Sequence, residues 1–195
     1  IEDNTFENCI LLTSVVIPNS ITSIGDAAFR DCLFLRRVTI PDSVTSIGKA
    51  AFERTGLTEV VIPEGVTEIA CRLFNECVSL DDVSLPDSLT SIESGSFRLC
   101  TSLNSITIPD NVTAIESYAF NSCINLISIN LSEELISIGS NAFQSCTSLI
   151  NITLPDGVTD IRSSAFKNCS SLINIDLSED LETIGNNALE NCTSL

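Results

Sequence analysis

The sequence predicts an α/β solenoid in which each repeat of about 23 residues makes one turn of a coil. Three observations predict it. An aromatic residue recurs at a nearly constant spacing, a short alternating pattern opens each repeat, and a short segment with Ala, Phe and Cys follows later in the repeat. A fixed period in the twenties is typical of repeat proteins whose neighbouring turns bury each other's apolar side.

The phenylalanines measure the repeat most clearly. Their spacing is 23 residues, except for one step of 22 between Phe52 and Phe74, and Leu189 takes the ninth place. Because the same ring recurs on every turn, we expect the rings to be buried and to stack along the axis of the solenoid. The row consists of Phe6, Phe29, Phe52, Phe74, Phe97, Phe120, Phe143 and Phe166.

Each repeat opens with the pattern L-x-x-[VI]-x-[IL], as in residues 35–40. Val38 and Ile40 share one face while Thr39 points away, which predicts a short strand with one buried face. Stacked copies predict a parallel sheet with one strand per turn. Eight full repeats begin at Leu12, Leu35, Leu57, Leu80, Leu103, Leu126, Leu149 and Leu172, with partial repeats at both ends.

Three further segments complete the repeat. Proline ends the strand in six repeats, since it lacks the donor a ladder needs; Ser132 and Ser178 stand in the other two. A second alternating piece follows, such as residues 112–115, and we predict that it is extended. In the segment 140–146, Phe143 and Cys146 lie three residues apart, which suits one or two helical turns with both side chains on one face.

The repeat that begins at Leu35 is one residue short and lacks the Cys. We expect a local tightening there, with Gly56 absorbing an unusual backbone conformation and the sheet continuing through it. No linker or low-complexity tract interrupts the array, so we expect a single domain over residues 1–195. Both ends fall within a repeat and carry no capping repeat, so we expect the chain to be a fragment of a longer one.

The charge of the chain excludes several partners. The net charge is −17, from 26 acidic and 9 basic residues, whereas nucleic acids and anionic membranes require clustered Lys and Arg. Apolar residues occur singly or in short runs, so no segment reaches the ~20 residues of a membrane span. We therefore expect neither nucleic-acid binding nor membrane insertion.

The repeat as a whole, L-x-x-[VI]-x-[IL]-P-x-x-[VL]-T-x-I-x-x-x-A-F-x-x-C, resembles the BspA-like, or Treponema-type, leucine-rich repeats, and the resemblance covers the entire chain. It implies a right-handed α/β solenoid. It also implies a secreted or surface-displayed microbial protein, since several such proteins are associated with adhesion to host proteins or other cells.

Three functional roles are open to the row of recurring cysteines: disulfides, a metal site or a nucleophile. The row consists of Cys9, Cys32, Cys77, Cys100, Cys123, Cys146, Cys169 and Cys192, with Cys71 outside it. There is no C-x₂-C pair for zinc and no His to act as a base, and stacked Cβ vectors suit disulfides poorly. We therefore expect buried free thiols beneath the Phe row. An acidic residue usually follows the proline or the serine that replaces it, and these residues form the acidic row: Asp42, Glu64, Asp87, Asp110, Glu133, Asp156 and Glu179. Single carboxylates on separate turns are favoured in turns beside Pro and make a poor cage for a divalent cation. We predict no metal, no cofactor and no catalysis.

Outward strand positions are the candidate binding surface. Ile127, Ile150 and Ile173 directly follow the opening Leu in three successive repeats, and Arg36, Asp81 and Asn104 occupy that place earlier. Arg37 and Val61 are further outward candidates. The isoleucines either form an exposed apolar patch, which marks interaction sites, or are half-buried beside a loop.

These residues favour a non-catalytic protein-binding module. The family resemblance implies adhesion, with an extracellular-matrix or host-surface protein as the partner. The alternative is a structural spacer within a larger protein or assembly.

Overall fold

The computed structural model describes all 195 residues as a parallel-strand β-solenoid. Each repeat contributes a three-residue strand and a two-residue strand. In chain order the strands are β1 (Ser14–Val16), β2 (Ser23–Ile24), β3 (Arg37–Thr39), β4 (Ser46–Ile47), β5 (Glu59–Val61), β6 (Glu68–Ile69), β7 (Asp82–Ser84), β8 (Ser91–Ile92), β9 (Ser105–Thr107), β10 (Ala114–Ile115), β11 (Ser128–Asn130), β12 (Ser137–Ile138), β13 (Asn151–Thr153), β14 (Asp160–Ile161), β15 (Asn174–Asp176) and β16 (Thr183–Ile184).

The two sets of strands pair differently. The longer strands join two by two, as β1–β3, β5–β7, β9–β11 and β13–β15. The shorter strands form a six-stranded sheet from β6 to β16 and a separate pair, β2–β4. The extended second piece is therefore confirmed as a strand, whereas the longer strands do not form the single continuous sheet that the repeat pattern suggests.

Both ladders are interrupted at the short repeat instead of continuing through it; for the shorter strands this is the single break, whereas the longer strands are also unpaired elsewhere. No strand pairing joins β3 to β5 or β4 to β6. Gly56 does not adopt a positive φ. Glycine is required there because the backbone passes close to the preceding turn: a Cβ at this position would lie 2.4 Å from the carbonyl oxygen of Leu33. The N–H of Phe52 still donates to the carbonyl of Leu73, so backbone bonding between turns continues on a third side of the coil.

The helical turns expected at the Ala-Phe-x-x-Cys segments are absent, and the structure contains no helix. In the segment around Phe120, successive backbone N–H groups donate alternately within their own repeat and to the next one. Those of Ala119 and Asn121 close β-turns three residues back, while that of Phe120 crosses to Ala142 in the next repeat. Tyr118 and Ser122 have φ of 61°, in the left-handed region. An α-helix needs uniform bonding to residue i−4, so this alternation excludes one.

The core is one continuous cluster of apolar side chains along the axis, and the Phe rings form a single row within it. Successive Phe rings stack with centroids 5.0–5.9 Å apart and planes within 20° of parallel. The rings from Phe29 to Phe166 are fully buried, as the sequence predicts. The structure contains no apolar helix of membrane-spanning length.

Candidate functional site: the outward face of the longer strands

The candidate surface is formed by the side chains of the longer strands that point away from the core. In each of these strands the two outer residues are exposed and the middle residue faces the core. The middle residue is buried in β5, β9, β11 and β13 and half-buried in the other four strands. All eight candidates named from the sequence are exposed on this side of the coil: Arg36, Arg37, Val61, Asp81, Asn104, Ile127, Ile150 and Ile173.

The isoleucine row consists of Ile127, Ile150 and Ile173, which are 47%, 38% and 62% exposed. Backbone hydrogen bonds hold the three in register. The N–H of Ile150 donates to the carbonyl of Ile127 at 3.2 Å, and that of Ile173 to the carbonyl of Ile150 at 2.8 Å. Together with Ser148, Ser171 and Ser194 the row lines a shallow groove of about 500 Å³. An apolar row of this kind, open to water, is a candidate contact surface.

In earlier repeats the charged or polar residues Arg36, Asp81 and Asn104 occupy the position of these isoleucines. A backbone hydrogen bond joins only Asn104 directly to the isoleucine row. The N–H of Ile127 donates to the carbonyl of Asn104 at 2.8 Å, so Asn104 continues the row. Asp81 instead belongs to the preceding pair of strands, because no pairing joins β7 to β9. Arg37 pairs with Glu59 at 3.3 Å, and both side chains are largely exposed, so this ion pair adds little stability.

Two clefts, which the sequence does not reveal, open on this face where neighbouring longer strands are unpaired. The first lies between β11 and β13, has a volume of about 670 Å³, and is lined by residues that include Ser128, Asn130, Glu133, Thr153 and Asp156. The second lies between β7 and β9 and has a volume of about 520 Å³. Both volumes fall within the range of ligand-binding clefts, ~300–1,000 Å³.

Most of the cysteine row is part of the core, whereas Cys9 is exposed and Cys192 is half-buried at the two ends of the row. All nine cysteines are free thiols, and six of them are buried: Cys32, Cys77, Cys100, Cys123, Cys146 and Cys169. Burial raises the pKa of the Cys123 thiol to about 12, so it stays protonated at neutral pH. The prediction of buried free thiols is confirmed for these six.

The acidic row after the prolines lies exposed along one edge of the strand face. No three His, Cys, Asp or Glu side chains come together as a metal-binding group. In the two repeats without the proline, a serine takes its place and its hydroxyl forms hydrogen bonds to the backbone of the turn. The Ser132 hydroxyl donates to the carbonyl of Asp110 at 2.8 Å and accepts from the N–H of Glu134 at 3.1 Å.

Comparisons with known proteins agree with this architecture. A family model described as a BspA type leucine-rich repeat region, in six copies, matches residues 1–127 and 67–195. A leucine-rich repeat protein from Bacteroides ovatus ATCC 8483 is similar in structure, with 28% identity and a TM-score of 0.75, over 100% of this chain and 68% of that one. The T. pallidum leucine-rich repeat protein TpLRR is similar too, with 27% identity and a TM-score of 0.76, over 94% of this chain and 78% of that one. No curated protein sequence matches the chain.

Proposed function

Because this chain belongs to the BspA-type leucine-rich-repeat family, we propose that it is a non-catalytic protein-binding module of a secreted or surface-displayed protein, and that it takes part in adhesion. Binding uses the outward face of the longer strands. The partner is a protein of the extracellular matrix or of a host surface.

The observation that carries this proposal is the exposure of the isoleucine row. A contiguous apolar row that is open to water marks a candidate interaction site. A side chain such as Ile173, 62% exposed, gains ~25 cal/mol for each Å² of apolar surface that a partner covers. The row also has a rigid backbone, because backbone hydrogen bonds join Asn104, Ile127, Ile150 and Ile173 from one turn to the next. Little ordering entropy is then lost when a partner binds.

The alternative, a structural spacer, is favoured by the continuity of the core. The Phe stack runs without a break from Phe6 to Phe166, which makes the solenoid a stiff element of fixed length. A spacer needs no partner on the strand face.

Surface plasmon resonance against a panel of purified matrix proteins separates the two. We expect the unmodified chain to bind at least one protein, and the triple variant Ile127→Ser, Ile150→Ser, Ile173→Ser to lose that binding. A matched control replaces three isoleucines that are exposed elsewhere on the coil: Ile124, Ile136 and Ile184. This control should bind like the unmodified chain. No binding by any version would favour the spacer.

A further inference from the structure

The cleft between β11 and β13 is bounded at both ends by backbone hydrogen bonds between the two repeats. At its start the N–H of Ile150 donates to the carbonyl of Ile127 at 3.2 Å. Past the cleft, the two repeats are joined again where the N–H of Thr159 donates to the carbonyl of Ile136 at 3.0 Å. Between these points no strand pairing closes the gap. The opening therefore runs parallel to the strands.

The two ends of this cleft differ in chemistry. Ile127 and Ile150 are exposed and line the neighbouring shallow groove. They directly precede Ser128 and Asn151, the first lining residues of the cleft on its two strands. Exposed carboxylates line its far end, at Glu133 and Asp156. Glu133 lies six residue steps after Ile127 along nearly extended chain, a span of at most about 20 Å at ~3.3 Å per residue. The lining between them is mostly uncharged and polar.

No cation of the chain itself neutralises the acidic end. Neither Glu133 nor Asp156 takes part in an ion pair. The sequence contains no Lys or Arg between residues 99 and 161, and no basic side chain lines the cleft. A cation that arrives from outside therefore meets two unopposed carboxylates in a partly enclosed site, where the attraction is stronger than on an open surface.

From this arrangement we infer that the cleft between β11 and β13 binds an extended protein segment of about seven residues, with an apolar side chain at one end and Lys or Arg at the other. The apolar side chain contacts Ile127 and Ile150, and the cation lies against Glu133 and Asp156. This inference rests on the proposed function, since it names the kind of segment that a protein partner would present. The volume of about 670 Å³ suits a short peptide better than a folded domain.

The cleft between β7 and β9 provides a comparison within the same molecule. Asp82 and Asp87 line it, but Asp81 and Asn104 stand at the place of the isoleucines. It offers charge without an apolar end. We expect a segment of the stated kind to prefer the cleft between β11 and β13.

The probe for this inference is a synthetic peptide of about seven residues, with leucine at one end, serine and alanine in the middle and two lysines at the other end, labelled for fluorescence anisotropy. The variant Glu133→Gln, Asp156→Asn should weaken its binding about tenfold at low salt. The charge-matched control Glu68→Gln, Glu182→Gln removes two exposed carboxylates from the side of the shorter strands and should bind within about twofold of the unmodified chain. A peptide with glutamates in place of the lysines should not bind.

Equal weakening in both double variants would mean general attraction to a chain of net charge −17 and would overturn the inference, as would failure of the lysine peptide to bind. These outcomes are separable from those for the proposed function. A matrix protein that is lost with the isoleucine variant but retained by Glu133→Gln, Asp156→Asn would leave protein binding standing and reject only the cationic segment.

Discussion

The thiol of Cys123 donates a hydrogen bond to the carbonyl oxygen of Phe97, 3.1 Å away in the preceding repeat. The same contact recurs along the core, from Cys100 to Phe74 at 3.2 Å and from Cys146 to Phe120 at 3.2 Å. Each thiol thus links the aromatic segments of adjacent turns. In the short repeat Thr55 takes the place of the cysteine, and its hydroxyl donates to the carbonyl of Phe52 at 2.9 Å.

This row makes the stability of the fold sensitive to alkaline pH. Burial raises the pKa of Cys77 to about 11 and that of Cys123 and Cys169 to about 12, from an ordinary value of 9.0. Below pH ~9 these thiols are protonated in both the folded and the unfolded chain, so they add no pH dependence. Above it the unfolded chain releases protons that the folded chain retains, and stability falls until the pH passes the folded-state pKa. Each such thiol contributes up to about 1.4 kcal/mol per pH unit.

Urea denaturation at a series of pH values from 7 to 11 checks this expectation. The free energy of unfolding should change little up to about pH 8.5 and then decrease. The variant Cys123→Ala should have a smaller slope above pH 9, although it is less stable at pH 7. A stability that stays level up to pH 11 would contradict buried, protonated thiols.

Alkylation should divide the nine cysteines into two classes. Cys9 is exposed and Cys71 and Cys192 are half-buried, whereas the other six are buried. With iodoacetamide under native conditions we expect Cys9 to react fastest, followed by Cys71 and Cys192, since only an accessible thiolate attacks. The other six should react only after denaturation. Mass spectrometry of proteolytic peptides reads the pattern directly, and rapid native labelling of Cys123 would be incompatible with the structure.

Truncation of a stacked ring should be far more costly than truncation of an exposed one. Phe120 is fully buried and stacks on Phe97 and Phe143 with centroids 5.2 and 5.4 Å away. Phe120→Ala should lower the free energy of unfolding by about 3–5 kcal/mol. Phe34 is 50% exposed and lies outside the row, so Phe34→Ala is the matched control and should cost about 1 kcal/mol or less. The free energies of unfolding are measured in urea. Similar losses in both variants would contradict a stabilising role that is specific to the stacked Phe row.

The stack, the strands and the buried thiols could be predicted from the sequence because each depends on a recurring side chain. A residue such as Phe120 occupies the same environment on every turn, so its period alone indicates burial. The turn segments were predicted less well. Phe143 and Cys146 share a face in a helical turn and also in successive β-turns. Only the acceptors of the backbone N–H groups distinguish a helical turn from β-turns.

The clefts could not be predicted, because pairing between neighbouring strands depends on small differences in backbone distance. The strands β9, β11 and β13 have nearly the same pattern, yet β11 pairs with β9 and not with β13. The sequence does place Ile127 and Ile150 on the outward face. It does not show that Glu133 and Asp156, which it assigns to turn chemistry, lie at the other end of the same opening.

A last prediction concerns two buried serines with opposite roles. Ser96 stands where most repeats have Ala; it is fully buried and its hydroxyl has no hydrogen-bond partner. Burying an unpartnered hydroxyl costs ~1–3 kcal/mol, so Ser96→Ala should stabilise the fold by about 1 kcal/mol. Ser132 is also fully buried, but its hydroxyl both donates and accepts. Ser132→Ala leaves those backbone groups unpaired and should destabilise by about 1–2 kcal/mol. Thermal and urea melts of the two variants should therefore shift in opposite directions, and a loss of stability in both would mean that the Ser96 hydroxyl has a partner in solution.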